Sequence, residues 1–325
     1  MRMLTVPGSD LSVSSLCLGI ADYGTRISEE ESFRLLDQFV EGGGNFLDTA
    51  HVYAAWVPGG WGTPERVIGK WLKARGNQSS IVVATKGAHP NFDTMHISRC
   101  SRQEILQDLD ESLERLQMEQ VPLYWLHRDD PTRSIAEIVE TLQIAISSKK
   151  IRYFGVSNWS TFRIKEMRDY TEAHNLTGFV GNQVGWSLAV RNANVGGDTT
   201  IRFMDAEMEA YHQQTGLFVA AYSSQANGFF GGNYGRDIPN PTPKSAALVV
   251  RSYYSERNFG RLERVQELAK QHNCPPNSIA LAYLTSQPYA VCAIASCPTS
   301  EYLATTLKAG SLHLSPEEVS YLVQD

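Results

Sequence analysis

Gly42-Gly43-Gly44-Asn45-Phe46-Leu47-Asp48-Thr49-Ala50-His51-Val52-Tyr53 opens the stretch, running on to Lys86, from which the fold of this 325-residue chain is read. A glycine-rich break stops a helix, a short apolar run follows as a buried strand, and polar groups come off the strand's C-terminal end. The next apolar run, 81–85, ends in Lys86, and a later one, 121–126, ends in His127. Three successive strands thereby deliver Asp48, Lys86 and His127 to one rim, with Tyr53 close behind.

Outward from that stretch the same alternation covers the chain. Strands are predicted at 15–19, 45–48, 81–85, 121–126, 151–156, 179–183, 217–222 and 290–296. Helices are predicted from the capping-box pattern Ser28/Glu31 onward, at 63–75, from the second capping box Ser101/Glu104 to 116, and at 134–147 and 161–174. Further helices are predicted at 201–215, 257–272 and 278–286, then one reaching 309, and a last one after Ser315-Pro316-Glu317. Residues 4–13, with Pro7-Gly8 in the middle, read as a hairpin ahead of the first barrel strand. Eight strands, each followed by helical sequence and each apolar on both faces, specify an α/β fold: a single (β/α)8 TIM barrel domain over 1–325, not an open doubly wound sheet. Two connections, 87–100 and 223–256, are longer than a barrel needs, and long loops at the C-terminal rim carry function.

Composition bounds the function classes. Hydrophobic residues make up 42% and charged residues 20%, a soluble globular balance, and the net charge of −6 offers no basic surface for nucleic acid. No apolar run is long enough to span a membrane, and the N-terminal residues lack the apolar segment of a secretory signal. Cys17, Cys100, Cys274, Cys292 and Cys297 are odd in number and form no Cys-x-x-Cys pair, so reduced thiols in a cytoplasmic protein are expected.

Singly, the rim residues have ordinary explanations: a capping aspartate, a solvated lysine, a hydrogen-bonded histidine. Jointly they stand where barrel enzymes keep their chemistry. The segments Gly44–Ala50 with Tyr53, Ala84-Thr85-Lys86, Leu126-His127-Arg128 with Asp130, Gly155-Val156-Ser157-Asn158, Asn182-Gln183 and Tyr222-Ser223 occur in one order. In that ordered set the chain resembles the aldo-keto reductases over nearly its full length.

The resemblance implies a catalytic tetrad of Asp48, Tyr53, Lys86 and His127. Carbonyl reduction needs a hydride on carbon and a proton on oxygen. Tyr53 supplies the proton, Lys86 is expected to lower the phenol from its free value of about 10, Asp48 anchors the ammonium, and His127 positions the carbonyl oxygen. The resemblance also implies a nicotinamide dinucleotide bound without a Rossmann domain, and no Gly-x-Gly-x-x-Gly follows a strand here. By resemblance Ser157, Asn158 and Gln183 hold its carboxamide beside Asp48, and Tyr222 stacks on its ring. Ser223, Gln225 and Gly228 line the pyrophosphate. Ser296, Tyr302, Thr306 and the helix starting near Thr299 receive the adenosine half.

At the positions where relatives that prefer NADP carry cations for the 2′-phosphate, this chain has Ser296 and Tyr302, and the nearby Lys308 falls on the wrong helix face. NAD is therefore expected to serve at least as well as NADP. The loop Ala54-Ala55-Trp56-Val57-Pro58-Gly59-Gly60-Trp61-Gly62 sets two tryptophans beside the phenol. With Tyr23 and Arg128 as further rim candidates, it favours a carbohydrate or polyol-like carbonyl over a simple aldehyde. The rival from another class is a nucleotide-binding regulatory or scaffold protein of the same fold with little turnover, against which the intact tetrad argues. A metal-dependent barrel hydrolase or isomerase is disfavoured because a lysine stands where a ligand is needed.

Overall fold

A computed structural model of the chain describes residues 1–193, 195, 197–242 and 246–324. Strands β1 (Met3–Thr5) and β2 (Ser12–Ser14) pair antiparallel as the expected hairpin. Eight parallel strands close the barrel: β3 (Leu16–Gly19), β4 (Phe46–Asp48), β5 (Val82–Gly87), β6 (Val121–Leu126), β7 (Ile151–Ser157), β8 (Phe179–Gly185), β9 (Phe218–Tyr222) and β10 (Val291–Ala295). They are joined in sequence order, with β10 beside β3.

The wall is completed by α1 (Glu29–Glu41), α2 (Thr63–Arg75), α3 (Arg102–Leu116), α4 (Ile135–Ser147), α5 (Thr161–Ala173) and α6 (Ala206–Thr215). Then come α7 (Ala246–Tyr253), α8 (Glu256–Gln271), α9 (Pro276–Thr285), α10 (Ser300–Leu307) and α11 (Pro316–Val323). Ser101 and Glu104 form both halves of a capping box, whereas Ser28 only accepts from the Glu31 N–H. Two expectations are corrected. α6 begins at Ala206, capped by Asp205, because 201–203 run alongside β8, with Phe203 bridged to Gly185. The long connection after β9 also holds α7, whose short amphipathic turn pattern lies inside a loop-like sequence. No helix among the described residues is long and apolar enough to cross a membrane, and all five cysteines are unpaired.

The hydrophobic core divides in two. Inside the barrel, Cys17, Phe46, Ala84, Leu123, Trp125, Phe218 and Ile294 pack with Val6, Leu11 and Val13 of the hairpin, which closes the end away from the site. Tyr153 at the start of β7 ties that hairpin down, its hydroxyl donating to Asp10 Oδ1 at 2.9 Å. The second core lies between strands and helices. Gly155 has a packing reason: a Cβ there stands 2.3 Å from the Trp125 ring, so β7 passes that indole only as glycine. The barrel is therefore solid beneath the rim, and its side chains can act only at the mouth.

Candidate active site

Strand register sets the first three groups. Asp48 lies opposite Ala84, Lys86 opposite Trp125, and the His127 N–H donates to the Gly87 carbonyl at 2.8 Å. Adjacent C-terminal strand ends are thereby stacked at one height. The chain leaves β4 through a tight loop in which Ala54 takes φ 62°, bringing Tyr53 back over Lys86. Ala88 (φ 63°), Asn158 (φ 64°) and Ser223 (φ 54°) are also left-handed just beyond β5, β7 and β9. Non-glycine residues in that region are costly, and these four stand at the barrel mouth.

Lys86 is the hub. Its Nζ donates to Asp48 Oδ1, to the Thr49 carbonyl at 2.7 Å and to the Tyr53 hydroxyl at 3.0 Å. All three donor positions of the ammonium are filled. The second Asp48 oxygen accepts from Gln183 Nε2 at 2.8 Å. Lys86 and Asp48 are 1% and 2% exposed, so neither charge is stable in place without the other.

The electrostatics correct one expectation. Burial pushes the Tyr53 phenol above its ordinary value; Lys86 is the strongest influence pulling it back, and Asp48 adds to the rise. The phenol is thus not acidified outright. Lys86 limits the cost of burial and stands ready for the negative charge that appears when the proton leaves. Burial likewise raises the Asp48 carboxyl against the pull of Lys86 and Gln183. Lys86 is raised overall: burial lowers it, and Asp48 and Tyr53 more than restore it, so it stays an ammonium.

His127 is held neutral, well below the usual imidazole value, by burial and then by His89, Arg128 and Lys86. Its Nδ1 is buried with no partner. A proton there would be a sealed, unmet donor, so the N–H belongs on Nε2, where it can meet a substrate oxygen.

Around these groups runs a closed circuit of rings. Tyr53 meets Trp56 at 6.1 Å between centroids, and Trp56 meets Phe92 at 6.0 Å. Phe92 meets His89 at 5.4 Å, His89 meets His127 at 4.7 Å, and His127 returns to Tyr53 at 5.9 Å. His89 and Phe92 escaped the sequence reading. Their only signal was position, inside the overlong 87–100 connection.

The remaining predicted residues divide. Ser157, Asn158, Gln183 and Tyr222 meet at the ends of β7, β8 and β9: Asn158 Nδ2 donates to Ser157 Oγ at 3.0 Å, and the Tyr222 hydroxyl donates to Asn158 Oδ1 at 2.6 Å. That set of amide and hydroxyl groups matches a planar carboxamide in chemistry. Ser223, Gln225, Gly228, Ser296 and Tyr302 line one cavity of about 440 Å³ between the β9 and β10 loops. Thr306 is buried behind it and accepts from Gln225 Nε2 at 3.4 Å. The cavity mixes serines and glycines with amide and phenol side chains and lies next to the Thr299-capped start of α10, whose free N–H groups suit an anionic group. Neither lysine nor arginine lines it among the described residues, and Lys308 is not among the residues that do.

Tyr23, Arg128 and Trp61 are committed elsewhere. The Tyr23 hydroxyl donates to the Cys297 carbonyl at 3.4 Å. Arg128 spends its guanidinium on the His127 carbonyl, Thr200 and Asp198. Trp61 donates to the His51 carbonyl at 2.9 Å and lies under Arg115, not beside the phenol. Of the two loop tryptophans only Trp56 reaches the ring circuit.

Comparison with known proteins agrees with the geometry. The model of the aldo/keto reductase family matches residues 15–324. An uncharacterized oxidoreductase, YrpG, of Bacillus subtilis is 30% identical, spanning 94% of this chain and 90% of its own length. Norsolorinic acid reductase stcV of Emericella nidulans is 27% identical over 98% of this chain and 79% of its own. The crystal structure of the thermostable aldo-keto reductase Tm1743, in complex with the inhibitor epalrestat, superposes with a TM-score of 0.74 over 99% of this chain and 98% of that one, at 22% identity.

Proposed function

The chain belongs to the aldo/keto reductase family, and from that premise we propose that it moves a hydride between a nicotinamide dinucleotide and a carbonyl or alcohol carbon, with Tyr53 handling the proton on oxygen. The observation that carries this reading is the single ammonium of Lys86 bonded at once to Asp48 and to the Tyr53 hydroxyl. When bound, the nicotinamide supplies or accepts the hydride. The chain does the rest. His127 Nε2–H and the Tyr53 O–H converge on the carbonyl oxygen, the first holding it and the second protonating it. The phenolate left behind faces the Lys86 ammonium, which Asp48 keeps charged and aimed. In the oxidative direction the same pair makes Tyr53 the base.

Ser157, Asn158 and Gln183, with Asp48 next to them, are proposed to hold the carboxamide, and Tyr222 the face of its ring. Ser223, Gln225 and Gly228 take the pyrophosphate, and Ser296, Tyr302 and Thr306 the adenosine half. The absence of lysine and arginine from the described lining of that cavity supports NAD as a cofactor at least as good as NADP. A carbohydrate or polyol-like carbonyl remains the favoured substrate. Its support now rests on Trp56, 42% exposed on the ring circuit, since Trp61 is tied to His51. Five unpaired thiols support a cytoplasmic setting.

The test is nicotinamide absorbance turnover against a panel of sugars and aldehydes with NADH and NADPH. We expect kcat/KM with NADH to equal or exceed that with NADPH. Tyr53→Phe should bind cofactor normally while carbonyl reduction falls roughly 10²- to 10⁴-fold. Nucleotide binding with no turnover on any carbonyl would place the chain among regulatory proteins of this fold; full activity in Tyr53→Phe would hand the proton to another residue.

A further inference from the structure

His89 lies outside the four groups that the proposed reaction uses, yet its ring is the immediate neighbour of His127, 4.7 Å away between centroids and steeply tilted to it. Its Nδ1 stands 2.6 Å from the Pro90 carbonyl oxygen. A carbonyl can only accept, so the proton of the neutral ring is on Nδ1 and Nε2 carries a bare lone pair. No protein donor among the described residues meets that lone pair, and unlike His127 Nδ1 it is not sealed from solvent. The ring stays neutral through the physiological range, pushed down to about 4 by burial and by Arg128.

The backbone is bent to put the ring there. Ala88, immediately before it, is held at φ 63°, its N–H donating to Asp108 Oδ2 at 2.9 Å. Arg99 bridges from Asp108, at 2.6 Å, to the His89 carbonyl, at 3.3 Å. A buried carboxylate and an arginine thus brace a strained alanine whose visible effect is to turn an imidazole into the ring circuit.

We propose that His89 is a specificity-determining residue whose Nε2 accepts a hydrogen bond from a hydroxyl on the carbon next to the substrate's carbonyl, so that the site selects α-hydroxy carbonyl compounds carried on a flat or ring-shaped body. The placement follows from the circuit. The carbonyl oxygen would sit between Tyr53 and His127, and His89 is the next ring of the circuit beyond His127, closing back to Tyr53 through Phe92 and Trp56. A hydroxyl one carbon from a carbonyl held by His127 is within reach of this adjacent ring. Phe92 and Trp56, 49% and 42% exposed, offer apolar faces to the body of the molecule. This rests on the carbonyl reductase reading above and adds to it which carbonyl is chosen.

The experiment compares α-hydroxyacetophenone with α-methoxyacetophenone, which differ in a hydrogen-bond donor and little in the polarity of the carbonyl, with benzaldehyde as a carbonyl lacking the neighbouring oxygen. The wild-type protein should favour the hydroxy over the methoxy ketone by about tenfold in kcat/KM, the scale of one neutral hydrogen bond. His89→Phe keeps a ring in the circuit and removes the acceptor, and should bring the ratio close to one. His89→Gln, which restores an acceptor, should recover part of it. Turnover of benzaldehyde without any hydroxy preference, or a preference that survives in His89→Phe, overturns the assignment of His89 alone. No turnover of any of the three carbonyls overturns both this assignment and the reductase reading. A ratio that collapses equally in the Phe and Gln variants overturns the acceptor role, since a merely structural histidine behaves that way.

Discussion

Replacing Lys86 by methionine removes a positive charge 3.0 Å from the Tyr53 hydroxyl while keeping most of the side chain's stem. At an effective dielectric of about 20, unit charges at that separation attract by about 5 kcal/mol. With roughly half the phenolate charge developed in the transition state, the loss is about 2–3 kcal/mol, or roughly 10²-fold in kcat. The same change strands Asp48, 2% exposed, with only Gln183 as a partner. Breaking one side of a buried pair costs about 3–5 kcal/mol of stability, so a rate measured on Lys86→Met alone mixes two effects.

The double variant Asp48→Asn/Lys86→Met separates them. It removes both charges, should regain most of the lost urea midpoint, and should leave kcat as low as in the single variant. Nicotinamide turnover gives the rate, and tryptophan fluorescence in urea gives the stability. If Lys86→Met stays within about threefold of wild type, or if the double variant restores the rate along with the fold, the ammonium serves only to neutralise Asp48 and the account of Tyr53 is wrong.

Two further outcomes are expected. Trp56→Ala should raise KM for the best carbonyl in the panel with a smaller effect on kcat, while Trp61→Ala, whose indole is spent on the His51 carbonyl, should lower the thermal midpoint instead; equal effects on KM would refute the division between them. Burial lowers His89 and His212 to about 4 and holds His127 well below its usual value. The unfolded chain takes up these protons near pH 6.5 and the folded chain does not, so stability is full above about 6.5 and falls as pH drops toward 4. The slope is at most about 1.4 kcal/mol per pH unit for each histidine. Urea midpoints at pH 7, 6 and 5 measure it, His212→Gln should flatten it, and a flat profile in the wild-type protein would contradict the neutral burial of these rings.

The barrel was legible because its signals are local. Gly42–Gly44 stop α1, Ser101/Glu104 cap α3, Ser315-Pro316 open α11, and the strands are short apolar runs, several with a polar group at or just beside their ends, as at Asp48, Lys86, His127 and Ser157. The two misreadings of the fold have different causes. Residues 201–205 have helical composition, yet tertiary contact draws Phe203 to Gly185, and α7 is only eight residues of amphipathic sequence inside a long connection.

What the chain by itself determined is the order of the elements and the four groups at their ends, because hydrophobic period, caps and strand termini are written in neighbouring residues. Only the tertiary structure decided which loop residues share that mouth. Trp56 joins it and Trp61 does not, Arg128 is consumed by Asp198 and Thr200, and His89 arrives through a left-handed alanine braced by Asp108. It decided the charge states too, since whether Lys86 outweighs the burial of Tyr53 depends on how much water the closed barrel excludes, and no pattern along the chain records that.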